Sequence, residues 1–217
     1  MVMVTEESKF TMSEVEPAEP IATYFGGKRL LAKRIIERIE AIPHDCYAEP
    51  FVGMGVVFLR RGKRPRCEIL NDLNQDIVNL FRVVREHPDE LNRQFEYMLS
   101  SRSEFFRITK IPLETMTDVQ RAARYAYLQV HRFSGIPTTN SINTSSLDKA
   151  KFDPKRMRSR IDRVYRRLQG VRVECEDWSR FIERYDKPHT LFYLDPPYWG
   201  HEDDYGKGLF KREDFAR

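Results

Sequence analysis

Near the carboxyl end of the chain a short apolar run, Leu191-Phe192-Tyr193-Leu194, stops at Asp195-Pro196-Pro197-Tyr198. A carboxylate, a carbonyl fixed by proline and an aromatic ring thus stand within four residues. An amine attached to an aromatic base is a poor nucleophile, because its lone pair is delocalised into the ring. Acceptors placed on its hydrogens favour the pyramidal, electron-rich form that can attack. Asp195 supplies one acceptor. Pro196, with a restricted φ and no N–H, offers a carbonyl held at a defined angle as the second. Tyr198 gives a face on which a base taken out of its stack can lie. Acceptors organised in advance for the charge that develops on the amine lower the barrier. Four such residues meet by chance in a chain this long on the order of one time in a thousand, so a mere proline-terminated strand end is the weaker account.

Two other stretches carry chemistry. In Glu49-Pro50-Phe51-Val52-Gly53-Met54-Gly55, the glycines let a backbone approach a ligand closely, and Asp72 stands 19 residues beyond Gly53. A carboxylate at that distance can accept hydrogen bonds from ribose hydroxyls, which suggests an adenosine-bearing cofactor. The turn lacks the full GxGxxG, so no pyrophosphate is implied, and Asp72 could instead cap a helix starting near Asn74. Tyr24-Phe25-Gly26-Gly27-Lys28 fails as a triphosphate loop, having Ala22 and Arg29 where that motif needs Gly and Ser or Thr. It can still set Lys28 and the Tyr24 ring at a helix start beside a ligand.

Positioning these residues needs strands whose carboxyl ends converge. Tyr47-Ala48, Cys67 to Asp72, Val171 to Cys175 and Leu191 to Leu194 read as strands. Leu31, Ile35, Ile39 and Ile42, ended by Pro43, mark a helix; Val56 to Arg61 begins another; Ile77, Leu80, Phe81 and Val84 mark a third. From about His87 to Leu168 there are helical stripes and loops but no strand, with a Ser/Thr/Asn/Pro-rich loop from Ser134 to Ser146. Residues 1–20, with five glutamates, two prolines and no apolar period, read as a disordered leader. The order predicts an α/β fold with a parallel sheet: a discontinuous cofactor-binding and catalytic domain over 21–86 and 169–217, interrupted by a helical insertion over 87–168.

Of the 217 residues, 41% are hydrophobic and 32% charged, as in a soluble, polar protein. No apolar run approaches the roughly 18 residues of a membrane span, and the N-terminus lacks a signal peptide's order; a cytoplasmic protein is expected. Cys46, Cys67 and Cys175 form no CxxC and the histidines do not fall at ligand spacing from them, so neither a disulfide framework nor a metal site is suggested. The net charge is only +4, yet residues 121–172 hold 13 Lys and Arg against 3 acids, a local excess of +10. On charge alone that segment fits a polyanion partner and a solvated helix face equally well.

Taken in order, YFGGK at 24–28, EPFVGMG at 49–55 followed by Asp72, and DPPY at 195–198 resemble the motifs of the Dam-type (D12 class) adenine-specific DNA methyltransferases. The resemblance implies a Rossmann-like methyltransferase sheet with an inserted, mostly helical DNA-recognition domain. It implies transfer of a methyl group from S-adenosyl-L-methionine to the exocyclic N6 amine of adenine in double-stranded DNA, by a protein expected to be monomeric. Tyr24, Lys28, Phe51, Gly53, Asp72 and, more loosely, Asp177 would then contact the cofactor. Asp195 would serve both the cofactor edge and the target amine, and Asp195, Pro196 and Tyr198 would be catalytic. His131-Arg132-Phe133-Ser134-Gly135 resembles the start of a DNA-contacting loop, with Arg132 the expected contact. The likeness also favours DNA as partner of the basic segment, since phosphate contacts dominate such affinity. Family members continue past DPPY, so the sequence is expected to be a fragment or to lack the C-terminal part of the sheet, with 211–217 opening a helix. Two alternatives stay open: a non-catalytic remnant that binds cofactor or DNA, and a cytosine amino-methyltransferase, although the latter often show SPPY.

Overall fold

The computed structural model describes residues 10–142, 150–206, 208–210 and 215. Four strands, β2 (Cys46–Glu49), β4 (Cys67–Asn71), β5 (Arg172–Glu174) and β6 (Thr190–Phe192), form one parallel sheet in the order β5-β4-β2-β6. The two inner strands are covered on both faces, and Tyr47, Ala48, Ile69 and Leu70 are all buried. Such strands read as continuous apolar runs without alternation. Cys46 pairs with Cys67 and with Thr190, and Ile69 with Arg172. This register brings the ends of the strands level, so the turns after Glu49, Asn71, Glu174 and Phe192 emerge along one edge. The sequence order reverses at β2, which has β4 on one side and β6 on the other. Ligands of open α/β sheets bind in the crevice at such a switch point.

The helices are α1 (Ala32–Glu40), α2 (Val56–Arg60), α3 (Gln75–Glu86), α4 (Pro88–Glu96), α5 (Arg102–Thr109), α6 (Asp118–His131), α7 (Pro154–Arg167) and α8 (Trp178–Tyr185). Their starts follow local chemistry. Thr117 and Gln120 form a reciprocal capping box before α6, and Asp153 caps α7 ahead of Pro154 at its first position. The small residues Ala122, Ala123 and Ala126 of α6 are buried where it packs against α3 and α4, and α4 in turn packs on α7. Between β4 and β5 only helices and turns occur among the described residues apart from a single bridge, Arg132 to Ile142.

One joint ties α7 to the sheet. Arg167 donates two bonds to the Glu68 carboxylate, at 2.7 and 2.6 Å, with both side chains fully buried. Its guanidinium lies 3.9 Å from the centroid of the Phe58 ring, while buried Arg61 stacks at 4.0 Å over Tyr47 and reaches Glu68 at 3.4 Å.

Two expectations need correction. The disordered leader does not extend to residue 20. β1 (Ser13–Glu14) pairs antiparallel with β3 (Lys63–Arg64), Ala18 and Ile21 are buried, and Ala18 N–H donates to the Leu59 carbonyl. An extended segment held by edge pairing and by ion pairs from Glu19 to Arg60 and Glu16 to Arg166 needs no apolar period. Residues 1–9 lie outside the described ones. The crossover α8 between β5 and β6 was also not expected; its eight residues bury only Phe181, too short a stripe to stand out. Most of the helix start expected over 211–217, and the loop beyond Ile142 as far as Ser146, lie outside the described residues. No helix among the described residues is long and apolar enough to cross a membrane.

Candidate active site

The turn after β2 is built around glycine. Gly53 has φ +51°, and a Cβ there would stand 2.9 Å from Cδ1 of Tyr24. Glycine therefore lets the Tyr24 ring lie directly on the turn. The Gly53 N–H donates to Oδ2 of Asp72 at 2.9 Å, and the Asn74 N–H donates to Oδ1 at 2.9 Å. Asp72 thus holds the glycine turn and the start of α3 together, while Asn74 is the cap proper, its side chain accepting from the Asp76 N–H. Burial raises the Asp72 carboxyl to about 6, against the opposing pull of those two backbone bonds. A carboxylate has about four acceptor positions, so two bonds leave room for ligand hydroxyls.

Across the same cleft DPPY meets YFGGK. Lys28 Nζ donates to Oδ1 of Asp195 at 2.5 Å, to the Tyr198 hydroxyl at 2.8 Å and to the Gly26 carbonyl at 3.0 Å. It also lies 4.6 Å from the centroid of the Tyr198 ring. Burial pulls the Lys28 ammonium down, but its bonds to Asp195 and Tyr198 more than offset this and its pKa is raised. Burial raises the Asp195 carboxyl, with Lys28 and then Tyr193 opposing. Tyr198 is exposed, and Phe25 meets its ring edge-on at 6.3 Å.

The cleft is lined by Tyr24, Lys28, Phe51, Gly53, Asp72 and Asp195, all of them expected at the cofactor. Residues not foreseen complete it. Phe51 and Trp178, 6.5 Å apart and tilted by 34°, give an aromatic wall that Phe210 closes edge-on at 5.7 Å. Glu49, buried at the end of β2, accepts from the Tyr47 hydroxyl at 2.7 Å; burial pushes its carboxyl up to about 8. Asn71 pins two of the turns, donating to the Pro50 and Glu176 carbonyls at 3.0 Å and accepting from the Glu176 N–H at 3.0 Å. A polar residue ending an apolar strand was the available signal for both Glu49 and Asn71.

Three expected residues stand apart. Asp177 caps α8, its carboxylate accepting from the Ser179 N–H and hydroxyl, and its neighbours Glu176 and Trp178 line the cleft in its place. Pro196 is half-buried beside the cleft while Pro197 lines it. Arg132, expected on DNA, turns inward: it donates to the Thr139 carbonyl at 3.1 Å and to Oε1 of Gln129 at 2.8 Å, and burial lowers its pKa to about 10. It holds the loop after α6 in place. That loop leans on YFGGK, where the Gly135 carbonyl accepts from the Phe25 N–H at 3.0 Å. Gly135 has φ +69° and a Cβ there would meet the Thr23 backbone at 3.0 Å, so glycine is required at this crossing.

The D12 class N6 adenine-specific DNA methyltransferase model matches residues 24–216. A type II methyltransferase of Lactococcus lactis subsp. cremoris is 27% identical over 192 residues, covering 82% of this chain and 65% of that protein. The DNA adenine methylase of Serratia marcescens is 32% identical over 178 residues, covering 80% of this chain and 64% of its own length. A type II methyltransferase of Paramecium bursaria Chlorella virus NC1A is 24% identical over 205 residues, covering 92% of this chain and 76% of that protein. The chain therefore spans about two thirds of the length of these relatives. With the matched span reaching from the YFGGK turn past DPPY, over most of a parallel α/β chain, this protein belongs to the D12 class N6 adenine-specific DNA methyltransferase family.

Proposed function

We propose that the cleft binds S-adenosyl-L-methionine and that the protein transfers its methyl group to the N6 amine of adenine in double-stranded DNA. The observation that carries this reading is the meeting of Asp195 with the glycine turn and Asp72 in one cleft, over 100 residues apart in sequence, with Tyr198 tied to Asp195 through Lys28. The residues fit the cofactor. Phe51 and Trp178 form a wall suited to a flat purine, and Asp72 has acceptor positions for ribose hydroxyls. Glu49 and Asp195 line the cleft as hydrogen-bonding groups for an amino-acid end. When bound, the cofactor supplies an electrophilic methyl on a sulfonium.

The remaining chemistry belongs to the chain. A target adenine leaves the duplex and stacks at the exposed Tyr198 ring, where unstacking costs a few kcal/mol. Asp195 and the Pro196 carbonyl accept from its amine and so direct the lone pair outward. The helical stretch between β4 and β5 serves as the DNA-facing part, supported by the exposed Lys155, Arg156, Arg158 and Arg163 of α7. An aspartate at the head of DPPY, and the family, favour adenine over cytosine. The test is mass spectrometry of nucleosides from DNA incubated with the protein and isotopically labelled cofactor. Labelled N6-methyladenine is expected; labelled N4-methylcytosine, or no labelled nucleoside, overturns the reading.

A further inference from the structure

All three donors of the Lys28 ammonium are engaged, and two of its acceptors, the Asp195 carboxylate and the Tyr198 hydroxyl, belong to the motif that must receive the target amine. The third, the Gly26 carbonyl, comes from a turn with φ +72°. The side chains of Lys28 and Asp195 are 16% and 24% exposed, so the pair sits at the border of cleft and interior. This is a different task from gripping a cofactor. We propose, on the basis of the adenine-methylation reading above, that Lys28 is a positioning residue for methyl transfer: anchored to the Gly26 carbonyl and the Tyr198 hydroxyl, it fixes Oδ1 of Asp195 and leaves the carboxylate's remaining acceptor positions for the target amine.

The surroundings of Asp195 make the clamp necessary. Facing the carboxyl are Tyr193 from its own strand end, Glu49 from the end of β2, Tyr198, and Tyr205 from the following turn. Among these groups Lys28 is the cation. Burial raises Asp195, whereas Lys28 favours the ionised form. An aspartic acid that has taken up a proton loses acceptor capacity, so the clamp sets both the direction and the charge of the group that receives the amine.

The test is Lys28→Met, which keeps the stem and removes the charge, with Lys28→Arg as the charge-retaining control, in the full 217-residue chain. Three quantities are measured: the pH profile of methyl transfer to DNA, the Asp195 titration by ¹³C NMR of its side-chain carboxyl, and the affinity for S-adenosylmethionine by calorimetry. In Lys28→Met the Asp195 titration and the acid limb of the profile move to higher pH by about one unit, a tenfold change in proton affinity. Cofactor affinity falls by less than the transfer rate does, and Lys28→Arg restores most of the profile. The clamp is overturned if Lys28→Met leaves the Asp195 titration in place while cofactor affinity and transfer fall by the same factor, for Lys28 would then be a cofactor contact only. Should the wild-type chain methylate no adenine, the function proposed above fails, while the NMR titration still decides whether Lys28 controls Asp195.

Discussion

Two of the ion pairs that join distant parts of this chain differ in what surrounds them. Arg167 and Glu68, 99 residues apart, are wholly buried and matched by two parallel bonds, with Arg61 and Arg64 nearby at 3.4 and 3.5 Å. Lys28 and Asp195, 167 residues apart, share one bond at the border of a cleft, beside an exposed aromatic face. The first pair is sealed from solvent and fastens α7 to the sheet. The second leaves lone pairs pointing toward a cavity, which is what chemistry on an amine requires. Geometry and access, more than charge, separate a structural joint from a working group.

The contrast is most severely tested by removing each carboxylate. Glu68→Ala leaves two buried guanidiniums without a counter-charge, and breaking a buried pair from one side costs about 3–5 kcal/mol. Urea denaturation is expected to show a loss of that order. Arg167→Met, which keeps an apolar stem on Phe58, costs less because Arg61 remains as a partner. Equal losses for the two variants would mean that Arg61 takes no part in the joint. Asp195→Asn should do the opposite: methyl transfer falls by roughly 10²–10³-fold, the scale of losing one preorganised group at a reacting centre, with an almost unchanged urea midpoint. Full transfer by Asp195→Asn would remove the carboxylate from the chemistry.

The two joints were not equally legible in the sequence. DPPY and the glycine turn are conspicuous because prolines and glycines impose backbone geometry wherever they stand, and their alignment along one sheet edge follows from the parallel order of the strands. Arg167 and Glu68 carry no such mark. In a segment with 13 basic residues, Arg167 looks like one more solvated charge, and only tertiary packing shows that it is interior. The same holds for its neighbours. Arg121 bonds Asp76, Arg124 bonds the Ile108 carbonyl, and Arg160 bonds the Ile21 carbonyl, so a large part of the basic excess is spent inside the protein. Arg132 follows that pattern, its bonds to Thr139 and Gln129 holding the loop after α6. Glu49 carried a weaker mark, a polar residue ending an apolar strand, and reads as exposed until the strand proves to be central.

Glu49 is a third kind of buried carboxyl, with the Tyr47 hydroxyl as donor and no ion pair of its own among the described residues. Burial pushes it up to about 8, from an ordinary carboxyl value near 4.5. Because the folded protein holds that proton more tightly than the unfolded chain, its contribution to stability is complete below about pH 4.5 and is lost as pH rises to about 8. Asp72, raised to about 6, adds a loss of the same sign at lower pH. Glu49→Gln keeps the acceptor for Tyr47 and removes the titration. Its melting temperature relative to wild type should therefore climb from pH 5 to pH 8, by an amount on the order of a few kcal/mol in stability. A difference that stays constant over this range would show that Glu49 does not titrate in the fold.

The smallest expected effect separates the exposed basic residues from the internal ones. A cation that touches a phosphate releases about one counterion, so its loss lowers the slope of log affinity against log salt by about one. Arg156 is exposed on α7, whereas Arg132 has internal partners. Duplex-DNA binding measured across a salt series should show the smaller slope for Arg156→Ala. For Arg132→Ala the slope should match wild type, even if affinity drops because the loop at Gly135 loosens its hold on Phe25. A reduced slope in the Arg132 variant would return that residue to the phosphate backbone. Its inward bonds would then describe a resting arrangement that DNA replaces, and the line between joint and working group would have to be redrawn inside the helical stretch itself.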